Sequence, residues 1–169
     1  SASLPLARLH GVDLVDCTGA GTGLNSEGVQ RKIAVLREAL AANPDTGDAL
    51  DALAALGGFE IATMVGAMLQ AAAEDRVLLF DGVTVTSALL VAAKIEPRVL
   101  QRCIYSHRSG EPGHQYMLEA LKARPLLDWG MRLGEGSGAA IAWPLLESAC
   151  TMLRDMASFA SAGVDGQAV

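Results

Sequence analysis

The sequence predicts an α/β fold in three α/β/α layers, with a mostly parallel, Rossmann-like sheet between the helices. Two runs carry the sheet: VLLF, from Val77 to Phe80, and CIY, from Cys103 to Tyr105, are too apolar to have a wet face. Continuous apolar strands are what a parallel sheet covered on both faces requires. The segment between them, VTVTSALLVAAK, starts β-branched and finishes helical in composition. It reads as mostly helix, because parallel strands need a long crossover between them. The chain's 169 residues, 51% of them apolar, suffice for one α/β domain over 1–169 that needs neither metal nor disulfide to hold its core.

Upstream of that unit, VDLVDCT is a short run of β-formers followed by the glycine loop GAGTGLN, so the opening reads strand, loop, helix. In the helix, SEGVQRKIAVLREALAA, Val29, Ile33, Leu36 and Leu40 share one stripe; Asn25 or Ser26 is the expected N-cap and Pro44 ends it. Asp48 to Leu56 is a short alanine-rich helix stopped by Gly57 and Gly58. The next begins near Phe59 and carries Ile61, Val65, Met68 and Leu69 on one side, with a polar side thin enough to suggest burial against more than one neighbour. After Tyr105 come a polar loop, a helix around Gln115 to Leu121, and the apolar run LLDW. The longest helical pattern follows GMRLGEGSG; Pro144 should kink it or mark a late start, and Gly163 is its expected terminator.

Composition excludes several functions. A net charge of -6 argues against a protein that neutralises many phosphates, so no nucleic-acid partner is expected. No apolar run is long and uninterrupted enough to span a bilayer, and the first residues lack the order of a signal peptide, so a soluble protein with no membrane partner is expected. Cys17, Cys103 and Cys150 are odd in number and widely spaced, which reads as reduced core thiols in a cytoplasmic protein.

In a parallel α/β domain, ligands bind beyond the C-terminal strand ends. Gly19 to Asn25, Asp81-Gly82, Ser106 to His114 and Arg132 to Gly138 all fall at that edge in this reading. GAGTG lacks both the GxGxxG and the P-loop spacing, and leaves a choice between a tight turn and an anion cradle at a helix start. Lys32 is either a solvated lysine or able to reach back to such an anion. Glu135, between Gly134 and Gly136 and just before a helix, either caps that helix or projects into a site; there its charged form is favoured, which suits proton acceptance. Asp81 is a ribose ligand or a turn former, and Glu60 a charge matched to the helix dipole or, second, a site residue. His107, Glu111 and His114 are separated by Pro112-Gly113 and cannot share a regular helix as a zinc HExxH does, so no metal is expected. A serine hydrolase would lack its GxSxG elbow.

GAGTGLNSEGVQRK, the run from ALGGFEIATMVG to DGVTVTSALLVA, SHRSGEPGHQYMLEAL, PLLDWGMRLGEGSGAAIAWPLLESA and DMASFASAGV, in that order, resemble the C-terminal half of the nicotinate-nucleotide–dimethylbenzimidazole phosphoribosyltransferase family. The resemblance implies a doubly wound parallel α/β domain with a smaller helical domain, a larger two-domain fold of which this chain is an incomplete copy. It implies transfer of 5-phosphoribose from nicotinate mononucleotide to 5,6-dimethylbenzimidazole, giving α-ribazole 5'-phosphate and nicotinate for the cobalamin lower ligand, with no cofactor. Its partners would be those small molecules and a second copy in a homodimer, or a complementary N-terminal half.

Carried over by motif, the catalytic residue is Glu135. Phosphoribosyl binding falls to Lys32, Gly21 and Gly23 and to Gly134, Gly136 and Gly138, which shape the loop around that glutamate. Asp81, Gly82, Ser106, His107, Ser109 and Glu111 lie near the site with no assigned role. Family members are about twice as long, and their upstream GEMGxGNT-type loop has no counterpart here; Ala20 stands where arginine is frequent, and Ser137 where threonine is usual. A fragment, a split subunit and a degenerate relative all fit that difference. The competing function is a non-catalytic nucleotide-binding or assembly module of the same fold.

Overall fold

A helix that the sequence pattern does not signal opens the chain. The computed structural model describes residues 2–21, 23–44 and 47–163. In it α1, Ser3–His10, buries Leu4 and Leu6 and closes on Gly11 in the left-handed region, φ 70°. The strand expected at VDLVDCT is instead a short helix, α2, Leu14–Cys17. Its physical cause is a cap: the Val15 N–H donates to Asp13 Oδ1 at 2.8 Å. Leu14 and Cys17 turn inward together while Val15 stays 51% exposed. Local capping and burial here outweigh the β-propensity of the valines.

Helix α3, Ser26–Ala42, starts at Asn25, whose side chain accepts from the Gly28 N–H, and stops just short of Pro44. Ile33 and Leu36 of its stripe are buried, with Val29 and Leu40 packed beside them. Asp48 caps α4, Ala49–Leu56, by accepting from Leu50 and Asp51. Helix α5, Phe59–Ala73, buries Ile61, Val65 and Met68. Its other side, including Ala62, Thr63, Gly66 and Ala67, is exposed rather than covered by a second layer.

The sheet is parallel and small. Strands β1, Leu78–Phe80, and β2, Cys103–Tyr105, pair in the register Leu78 to Cys103, Leu79 to Ile104 and Phe80 to Tyr105. Helix α6, Val83–Ile95, and a 3-10 turn, Pro97–Arg102, make the crossover. The LLDW run then passes along the far side of β2: the Leu126 N–H donates to Tyr105 O at 2.9 Å and the Leu127 N–H to Ser106 O at 3.0 Å. The fold is thus α/β about a short parallel sheet.

Helix α6 is mostly apolar, and every residue from Thr86 to Ala92 is buried, while Thr84 and Lys94 near its ends are exposed. On one side Leu89 and Val91 join Ile61, Val65, Phe80 and Val99. On the other, Leu90 joins Leu6, Leu14, Ile33, Leu56 and Met117. A helical stretch with no wet face, such as Thr86 to Ala92, belongs in the interior with neighbours on all sides.

Helix α7 spans Pro112–Ala120, with its proline at the first position, where no N–H is needed. Helix α8, Ser137–Asp155, runs through Pro144 and ends at Met156, so Gly163 is not its terminator; that glycine, φ 68°, sits in a turn beyond it. Helix α8 buries only Gly138 and Ala142. Cys150, expected in the core, is exposed on this helix, whereas Cys17 is buried and Cys103 half-buried; all are free thiols. Among the described residues no helix is long and apolar enough to cross a membrane.

Candidate functional site

Strands β1 and β2 end side by side at Phe80 and Tyr105. Their outgoing loops and the two glycine-rich segments meet around one cavity of about 1270 Å³. Gly19, Gly21, Gly23 and Lys32 line it from the first segment, Asp81 and Gly82 from the second. His107, Ser109 and Glu111 line it from the third, and Arg132, Gly134, Glu135 and Gly136 from the fourth. Of the expected site residues, Ser106 and Gly138 are buried and do not line the cavity.

Glu135 occupies the tip of a tight turn. The Ser137 N–H donates to Gly134 O at 3.0 Å, and φ is 75°, 57° and 77° at Gly134, Glu135 and Gly136. Positive φ at both central residues is the signature of a type I′ turn, which glycine and asparagine tolerate and glutamate does not favour. The Glu135 side chain has no hydrogen-bond or ion-pair partner among the described residues, and it does not cap α8.

The cap comes from elsewhere. The Gly138 N–H donates to Asp81 Oδ1 at 2.7 Å, the Ala139 N–H to the same oxygen at 3.2 Å, and the Gly136 N–H to Oδ2 at 3.2 Å. This close approach requires glycine: a Cβ on Gly138 would overlap the His107 imidazole and lie 2.7 Å from Asp81 Oδ1. His107 is 2% exposed. Its Nδ1 lies 3.2 Å from Ser106 Oγ and 3.8 Å from Asp81 Oδ1.

Two cations attend the glycine loop. Lys32 Nζ donates to Gly19 O at 3.0 Å, which brings the lysine back onto the loop it follows. Arg132 Nη2 donates to Gly21 O at 2.7 Å and stands 3.5 Å from Glu111 Oε1. Arg132 opens the last of the segments expected at the ligand edge, yet the sequence gives it no role of its own; its one signal is a basic side chain two positions ahead of Gly134. Gly19 and Gly113 are again places of contact, since a Cβ on the first would overlap the Glu111 carboxylate and one on the second would stand 2.6 Å from Cys17 O. Helix α6 begins at Gly82 with no side-chain cap, and its first residues, Val83, Thr84 and Val85, line the cavity. Met64, Leu79 and Leu133 add an apolar lining.

His114 is a brace behind this surface. Its Nδ1 accepts from the Ser109 N–H at 2.8 Å, so the ring proton sits on Nε2, which donates to Thr86 Oγ1 at 3.0 Å; the Thr86 hydroxyl donates in turn to Gly82 O at 2.8 Å. Burial, reinforced by the neighbouring His107 and opposed by Asp81, pushes the His114 pKa down to about 4. Both ring nitrogens are engaged by protein groups, which leaves neither for a ligand.

Among the described residues the cavity therefore offers cations and unpaired helix-start N–H groups for an anion, an apolar lining for a ring, and an unpartnered carboxylate on a left-handed turn. A family model described as Phosphoribosyltransferase (DBI_PRT) matches residues 1–164. The nicotinate-nucleotide–dimethylbenzimidazole phosphoribosyltransferase of Variovorax paradoxus (strain S110) is 57% identical over 164 residues, which cover 97% of this chain and 47% of that protein. Its namesake from Ralstonia nicotianae is 53% identical over 168 residues, covering 99% and 48%. The crystal structure of CobT from Thermus thermophilus superposes with a TM-score of 0.90 at 39% identity, covering 97% of this chain and 49% of that one. The chain spans about half the length of the curated relatives it matches. Sequence, fold and cavity agree: the chain belongs to the DBI_PRT phosphoribosyltransferase family, that of the nicotinate-nucleotide–dimethylbenzimidazole phosphoribosyltransferases.

Proposed function

We propose that this chain is one α/β domain, corresponding to the C-terminal half of its relatives, and supplies the catalytic base for moving 5-phosphoribose from nicotinate mononucleotide to 5,6-dimethylbenzimidazole. The observation that carries this reading is Glu135, held without a partner among the described residues at the tip of a left-handed turn on the cavity. In the mononucleotide, the pyridinium nitrogen leaves C1′ as a neutral base, so departure needs no acid. Positive charge develops instead on the attacking benzimidazole. A carboxylate at that ring's other nitrogen takes its N–H proton and stabilises the charge as it forms. Attack opposite the leaving base inverts β to α, and the products are nicotinate and α-ribazole 5'-phosphate.

Phosphate binding falls to Lys32, to the loop of Gly21 and Gly23, and to the uncapped start of α6. Gly134 permits the turn, while Gly136 and Gly138, whose N–H groups are already given to Asp81, serve through shape. In this reading the three-layer Rossmann-like sheet is completed by the rest of the relatives' length. The working form is a cytoplasmic homodimer, or a complex with a complementary N-terminal half. The outer face of α8, with Trp143 54% and Leu153 89% exposed, suits such packing.

The test measures nicotinate release from nicotinate mononucleotide and dimethylbenzimidazole, with the remaining half of a relative supplied. Glu135→Gln should reduce turnover at least about 100-fold, the scale of a lost general base. Turnover unchanged by that substitution sinks the role of Glu135, and binding without turnover in the unsubstituted chain sinks the enzymatic reading.

A further inference from the structure

We propose that Asp81 is the positioning residue for Glu135: its carboxylate, arriving from the end of β1, fixes where the turn carrying the base ends and α8 starts. The inference rests on the reading of Glu135 as the base. Asp81 receives the N–H groups of Gly136, Gly138 and Ala139, so both oxygens grip the backbone immediately after Glu135. The turn has no comparable tether of its own, because the Glu135 side chain is unpartnered among the described residues and the helix start at Gly136 has no side-chain cap from its own segment.

Asp81 is itself anchored. It follows Phe80, whose strand is paired with β2; its own carbonyl lies 3.5 Å from the Ser106 hydroxyl, and its Oδ1 is 3.8 Å from His107 Nδ1. The paired end of β1 is thus coupled directly to the glycine turn that bears the reactive group. The missing side chain at Gly138 is what lets the carboxylate and the helix start come together. The same grip occupies the N-terminus of α8 with a protein anion, which keeps a substrate phosphate from settling there and displacing the base.

Two measurements test this. Amide hydrogen exchange on the 169-residue chain should show Gly138 and Ala139 exchanging at least about tenfold faster in Asp81→Ala, with Leu89 of α6 still protected and Glu135→Gln without effect. Turnover, with the complementary half of a relative supplied, should fall about 10- to 100-fold in kcat in Asp81→Ala, the cost of a base misplaced by about an ångström, with little change in KM for nicotinate mononucleotide. Asp81→Asn keeps an oxygen for Gly138 and Ala139 and should recover most of both signals. In a Glu135→Gln background, Asp81→Ala should add no further loss, because the two act as one unit. Unchanged exchange at Gly138 and Ala139, or a kcat loss that persists in full without the glutamate, overturns the proposal. If the unsubstituted complex shows no turnover, the transferase reading fails, and the exchange comparison alone decides whether Asp81 sets this turn.

Discussion

Glu135→Gly should make the protein more stable while removing its proposed chemistry. Glu135 has φ 57°, a region that costs an ordinary L-residue about 1–2 kcal/mol. Glycine enters it freely but gives back about 0.5–1 kcal/mol through the greater freedom of its unfolded chain. The side chain has no hydrogen-bond or ion-pair partner among the described residues, so little else is lost. The net expectation is a gain of about 0.5–1 kcal/mol, or roughly 1–4 °C in Tm for a domain of this size. Thermal and urea unfolding of Glu135→Gly and Glu135→Gln beside the unsubstituted chain measures it. The glutamine variant, which keeps the strain, should melt with the parent. A glycine variant that melts below the parent would refute the reasoning, because the turn would then owe its conformation to contacts of the glutamate rather than bear it as a cost. Asp75 and Lys122 also have positive φ, but of the three only Glu135 lines the cavity, and strain kept there with no structural gain is the pattern expected where a group is retained for its chemistry.

Gly138→Ala should destabilise the chain by about 1–3 kcal/mol, the usual penalty of forcing atoms into a filled space; it should also detach the start of α8 from Asp81, which amide exchange at Ala139 will report. The His114 brace predicts a pH dependence. Between the ordinary histidine value of 6.5 and the folded value of about 4, the unfolded chain binds a proton that the native chain does not. Stability is therefore fully present above the upper limit and lost as pH falls through this window, by up to about 1.4 kcal/mol per pH unit. Urea titrations from neutral pH down through that window should show the slope, and His114→Gln should be less stable at neutral pH yet flatter across the same range.

Local pattern and long-range geometry divide what could be read from the residues alone. The stripe of Val29, Ile33, Leu36 and Leu40, the cap at Asn25 or Ser26, the alanine-rich helix up to Gly57, and the apolar strands at Leu78 and Cys103 are local signals, and the structure forms those elements. The convergence of the loops was also legible, because parallel strands deliver their outgoing loops to one edge whatever the remaining strand order. Helix α2 was misread because it has too few residues to display a helical period, while its valines speak for a strand. Cys150 was misplaced because cysteine is commonly buried, and periodicity does not say which apolar helix face remains bare. The link from Asp81 to Gly138 spans 57 residues; no spacing rule reaches across it, and from the sequence Asp81 offered only a turn former or a ribose ligand. Arg132 is similar, since its partners Gly21 and Glu111 lie on separate loops.

Helix α6 stands in both halves of the hydrophobic interior and also supplies, at its first turn, part of the cavity wall. A side chain trimmed in its middle removes packing from two directions at once, and neither flank can close the gap without dragging the other. Such a spine leaves the ligand hollow no independence from the body of the molecule: a change that softens the centre of the protein is felt at the mouth.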